Sequence, residues 1–62
     1  EFDVWCHYSG NEDDAIREYM TQFNIEKIIA LPEDGGIIVT DKGIESVGPG
    51  TTVAFDPDKR TI

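Results

Sequence analysis

The sequence predicts an α+β domain in two layers, with one helix packed on a mostly antiparallel sheet of four to five strands in the order β-α-β-β-β-β, the last strands being the shortest. Three observations carry this prediction. A single segment has helical apolar spacing, several short runs are rich in β-branched residues, and turn residues separate those runs at regular intervals. With 62 residues the chain is expected to form one domain. That is near the lower limit for a single core, because a domain of about 60 residues buries only about 60% of its unfolded surface. One cysteine cannot make an internal disulfide, and Cys6 with His7 supplies only two adjacent soft ligands, so neither a disulfide nor a metal staple is predicted. Stability must come from packing or from a partner.

Residues 2–8 read as a strand, because Phe2, Val4, Cys6 and Tyr8 alternate with Asp3, Trp5 and His7 at the period of a half-buried strand. The first set is the more apolar and is assigned to the core, which turns Trp5 and His7 to the other face. Ser9-Gly10-Asn11-Glu12 fits a capping box with Ser9 as the cap, and Asn11 with Asp14 is an equally spaced rival. Ile16, Tyr19, Met20 and Phe23 then follow one helical face, and Asn24 suits a left-handed terminator. Glu12, Asp13 and Asp14 fall in the first turn, where the helix dipole favours anions.

Residues 25–31 are a β-branched apolar run ended by Pro32, read as a central strand. Glu33-Asp34-Gly35-Gly36 turns this strand into residues 37–40, the pair with the strongest hairpin signature in the chain. Asp41-Lys42-Gly43 leads into residues 44–47, Gly48-Pro49-Gly50 turns again, residues 51–55 read as a strand, and Asp56-Pro57-Asp58 reads as a turn. One helix covers one face of a sheet, so the other face is expected to stay open.

Charge is the strongest compositional signal, with 13 acids against 5 bases and a formal net charge of −8. Direct binding to nucleic acid or to an anionic membrane is therefore disfavoured. No apolar run approaches the roughly 18 residues that cross a bilayer, and a cytoplasmic location is expected. The excess is uneven: residues 1–26 hold seven acids and one base, and residues 27–62 hold six acids and four bases. A partner with a basic surface fits such a distribution, while plain solubility explains a net charge without any partner.

Two groups of side chains are candidate contacts. Glu12, Asp13, Asp14 and Glu18, joined by Asp3, form an acidic surface that could imitate the spaced charges of a nucleic-acid backbone. Asp14 and Glu18 lie four apart on one helix face, where like charges cost a few tenths of a kcal/mol. Trp5, with His7 beside it, is a candidate aromatic anchor on the open sheet face, because Trp is enriched among residues that dominate interfaces. A strand register running the other way, or a C-terminal segment folded over Trp5, would remove that anchor.

Catalytic chemistry finds little support. Cys6 and His7 are consecutive strand residues whose side chains diverge, so an inert thiol is expected. Asp56 and Asp58 lack the further oxygens of a calcium loop, and the glycines match no phosphate-binding loop. No cofactor is predicted. The expectation is a non-enzymatic protein-binding module, a small acidic inhibitor or regulator docking on a larger basic protein, in the general style of those made by phages and mobile elements. The alternative is an assembly protein that forms a homodimer or adds to another sheet through its open face or edge strand.

Overall fold

The computed structural model describes residues 2–62. Strand β1 (Asp3–Trp5) is followed by helix α1 (Asp13–Phe23), then β2 (Ile28–Ala30), β3 (Gly36–Thr40), β4 (Gly43–Val47), β5 (Val53–Phe55) and β6 (Lys59–Thr61). The fold is α+β with mostly antiparallel pairing, as the sequence predicts. The strands divide into a four-stranded sheet in the order β1-β2-β5-β6 and a separate hairpin, β3-β4.

The sheet begins with a β-α-β unit. β1 and β2 run parallel, with Val4 opposite Ile29, so the chain must cross over between them, and α1 is that crossover. The helix starts at Asp13, with Glu12 as its flanking residue. Ser9 is not the cap predicted for it. Instead the Ser9 N–H and hydroxyl both donate to the Glu12 carboxylate, which is the returning half of a capping box, made one turn ahead of the helix. The helix ends as predicted: Asn24 takes a left-handed conformation at φ 56° and ψ 44°, and the Ile25 N–H reaches back to the Met20 carbonyl at 2.9 Å.

The main core lies between the helix and one face of the sheet. Ile16 and Met20 pack onto Ile28, Ala30, Val53 and Phe55, closed at one end by Tyr8 and flanked by Trp5 and Ile25. Trp5 therefore faces the helix, opposite to the face predicted, and Val4 points the other way, 47% exposed. The alternation fails because β1 stops at Trp5 and His7 adopts φ 60°, a left-handed backbone that resets the side-chain order. Tyr8 thus enters the core on the same side as Trp5, and Cys6 is exposed.

The strongest predicted hairpin does not form. β2 pairs with β1 on one side and with β5 on the other, so it has no free edge for β3. β3 turns back onto β4 through Asp41 and Lys42 instead. The hairpin's two ends are pinned at Gly48, where φ is +86° and an added Cβ would come within 2.6 Å of the Asp34 carbonyl oxygen.

The sheet face away from the helix is not bare, contrary to expectation. Ile29 and Ala54 point to that side and are both buried. Ala54 shares a groove of about 480 Å³ with Val39, Thr40 and Ile44 of the hairpin and with Phe2 and Ile62. β3-β4 is thus a second, smaller layer, which explains why all three residues of β2 and of β5 are buried. The Asp56-Pro57-Asp58 segment forms the turn between β5 and β6, with the Asp58 N–H donating to the Asp56 carboxylate.

Candidate functional site

At 100° per residue, Ile16 and Met20 define the inward side of α1, and the two flanks differ in kind. Asp13 and Arg17 lie on the flank toward β5 and β6. Tyr19 and Phe23 lie on the flank toward β1, and Asp14 and Glu18 crown the outward ridge.

On the first flank the charges are spent inside the molecule. The buried Tyr8 hydroxyl donates to Asp13 Oδ1 at 2.5 Å, and Lys59 Nζ donates to Asp13 Oδ2 at 2.5 Å. These hydrogen bonds, Lys59's first and Tyr8's second, hold the Asp13 carboxyl below the usual carboxylate range. Asp13 and Tyr8 in turn raise the Lys59 ammonium, and burial, followed by the bond to Asp13, raises the Tyr8 phenol. Lys59 also lies over the rings of Phe55 and Tyr8, at 5.7 and 6.0 Å from their centroids. Arg17 covers the Phe55 ring and donates to the Asp56 carbonyl at 2.6 Å. Arg60 pairs with the Asp56 carboxylate, whose pKa is lowered first by the Asp58 N–H and further by Arg60.

The predicted acidic surface therefore separates into parts. Asp13 is an ion-paired strut. Glu12 is held by Ser9, whose hydroxyl and N–H lower its pKa. The Asp14 and Glu18 carboxylates are exposed and make no hydrogen bond or ion pair with the other described residues. Asp3 is also exposed, but it lies at the far end of the helix, in a shallow groove with Asn24, Glu26 and Lys27. Ten residues of helix, or about 15 Å, separate that end from Asp14. The acids form a spaced row rather than one cluster.

Sequence reasoning missed the aromatic strip on the β1 flank. The Trp5 and Tyr19 rings meet edge to face at 6.1 Å, and Tyr19 and Phe23 are tilted at 4.8 Å. Trp5 is half-buried, Tyr19 is 39% exposed and Phe23 is 57% exposed. The i, i+4 spacing of Tyr19 and Phe23 was visible, but both fitted the predicted core face, and only the position of Ile16 and Met20 shows that they sit at its margin. Trp5 and the free acids thus share the helix layer rather than lying on opposite layers. His7 stands apart, its Nδ1 within 2.8 Å of both Glu33 carboxylate oxygens.

Among the described residues no three His, Cys, Asp or Glu side chains gather as a metal-holding group, and no helix is long and apolar enough to cross a membrane. The structure shows a small α+β fold that presents an acidic helix ridge beside an aromatic strip. No protein-family model, no curated protein and no solved structure matches the chain.

Proposed function

We propose that the chain is a non-enzymatic protein-binding module, a small acidic inhibitor or regulator that docks through α1 on a larger protein with a basic surface. The observation that carries this reading is the juxtaposition of unpaired Asp14 and Glu18 with the strip of Trp5, Tyr19 and Phe23 on one side of the molecule. Charge steers the encounter and speeds association, and desolvated rings hold the complex once formed. Where the partner is a nucleic-acid enzyme, the row of Asp14, Glu18 and Asp3 occupies positions meant for phosphates. Ion pairing of Asp13 with Lys59 shortens that row, so the rings carry a larger share of the contact than charge imitation alone would require.

A second reading, assembly through self-association, draws on Ile38, Val39 and Val47, which the hairpin leaves 49%, 57% and 43% exposed. One experiment separates the two. The immobilised chain is expected to retain basic proteins from a lysate at low salt and to release them near 1 M salt, where the screening length falls to about 3 Å. Glu18→Lys and Phe23→Ser are each expected to abolish retention. Retention indifferent to salt and to both substitutions, with concentration-dependent sedimentation of the chain alone, would sink the docking reading and favour assembly.

A further inference from the structure

We infer that the free edge of β1 receives an extended segment of the partner as an added strand, with Lys or Arg at the positions facing the helix and apolar residues between them. This inference rests on the docking reading and names the element of the partner that makes the contact.

The backbone supplies the first argument. β1 is an outer strand of the sheet. The Asp3 N–H donates to the Lys27 carbonyl and the Trp5 carbonyl accepts from the Leu31 N–H, so Asp3 and Trp5 spend their main-chain groups on β2. By strand alternation the Val4 N–H and C=O point outward, away from the sheet. Such an edge is a template for another strand, and native proteins usually blunt it by shortness, charge, proline or a bulge. β1 has no lysine and no proline; it is guarded by its three-residue length and by the charge of Asp3, which a basic strand neutralises rather than opposes.

The surroundings of this edge say what would sit on it. A strand added beside β1 places alternate side chains on the helix side, against the strip of Trp5, Tyr19 and Phe23. The Asp3 carboxylate lies on the Trp5 side of β1, beside that strip, and has no ion-pair partner among the described residues. A Lys or Arg stem laid across the rings puts its charge over their faces and within reach of that acid. The intervening side chains of the added strand meet Val4, which favours apolar residues there.

The opposite edge shows the contrast. β6 carries Lys59 and Arg60, which protect it and which are already paired with Asp13 and Asp56. A second copy that offers β6 to β1 brings together two chains of net charge −8. A basic segment of a different protein does not meet that obstacle.

The test uses the full chain, labelled with ¹⁵N, and a blocked synthetic peptide of alternating lysine and valine. The Val4 amide is expected to shift and to exchange more slowly when the peptide is added. A peptide of the same sequence methylated on its backbone nitrogens keeps every charge and is expected to bind roughly ten-fold more weakly, about the weight of one net backbone hydrogen bond. Val4→Pro, which removes an outward donor and leaves the bonds to β2 in place, is expected to weaken the unmethylated peptide comparably. Should that variant fail to fold, the methylated peptide decides alone. Equal binding of the two peptides, with shifts confined to Asp14, Glu18, Tyr19 and Phe23, would overturn strand addition and leave docking standing. Self-association that blocks the Val4 amide without peptide would overturn it in favour of a second copy. Absence of peptide binding together with salt-independent retention of proteins would overturn both readings.

Discussion

On the flank of α1 that faces β5 and β6, Asp13 is gripped by Tyr8 and Lys59, and Arg17 is anchored on the Asp56 carbonyl over the face of Phe55. On the flank that faces β1, Tyr19 and Phe23 stand partly in water beside Trp5, and the neighbouring Asp14 and Glu18 have no partner among the described residues. Both flanks use acids and aromatic rings. They differ because the bases of the sheet, Lys59 and Arg60, all sit on the β6 side. Asp13 and Asp56 are therefore ion-paired on the β6 side while Asp3, Asp14 and Glu18 have no such pair among the described residues, so the net charge of −8 has a direction as well as a size. A whole-chain solubility role would not require that direction.

The sharpest way to break this comparison is to truncate one ring on each flank. Phe55 is fully buried, and Phe55→Ala is expected to cost about 3–5 kcal/mol, most of what so short a chain possesses. Phe23, 57% exposed, loses mainly its contact with Tyr19, so Phe23→Ala is expected to cost less than about 1 kcal/mol. Urea unfolding of the two variants measures both values. Comparable losses would make Phe23 a core residue and remove the offered strip.

A smaller effect distinguishes the acids by their response to pH. The Asp13 pKa is lowered in the folded chain, so the unfolded chain binds more protons between its own carboxylate pKa, near ~3.9, and the lower folded value. The stability from Asp13 is complete above that window and is lost as pH falls through it. Lys59 and Tyr8 have raised pKa values, so their contribution is complete below about pH 10 and is lost as pH rises beyond it. Protonation of the remaining acids relieves repulsion and acts in the opposite sense on the acid side. The difference between wild type and Asp13→Ala cancels that shared background. The unfolding midpoint of the variant is expected to lie below that of wild type at neutral pH, with the gap narrowing toward both pH extremes. A gap that stays constant with pH would mean that the Tyr8-Asp13-Lys59 contact adds nothing specific.

The parts legible in the sequence were those decided by neighbours along the chain. The helix, its termination at Asn24 and the turn chemistry of Asp41-Lys42-Gly43 follow from local spacing and backbone preference. The misreadings came where one residue's backbone or a distant pairing decided. His7 at φ 60° hid the true side of Trp5. Ile28, Ile29 and Ala30 are buried on both faces and so carry no alternation to reveal their neighbours; their pairing with residues 53–55 is nonlocal. The acids shared the same limit, since nothing in the order Glu12-Asp13-Asp14 says that Lys59, 46 positions away from Asp13, would claim the middle one.

The smallest expected effect addresses the outward ridge itself. Asp14 and Glu18 face one another at i, i+4, and Glu18→Gln removes the repulsion between them while preserving shape and helix preference. The variant is expected to be more stable by a few tenths of a kcal/mol, read as a slightly higher urea midpoint. Under the docking reading the same variant should retain basic proteins less well. These opposite signs matter because a carboxylate kept for folding would lose stability on removal, and one kept only for solubility would leave retention unchanged. A stability loss in Glu18→Gln would reveal a partner inside the molecule and return Glu18 to the class of Asp13. A gain paired with weaker retention would mark a charge held at a cost to the fold for the sake of a contact outside it.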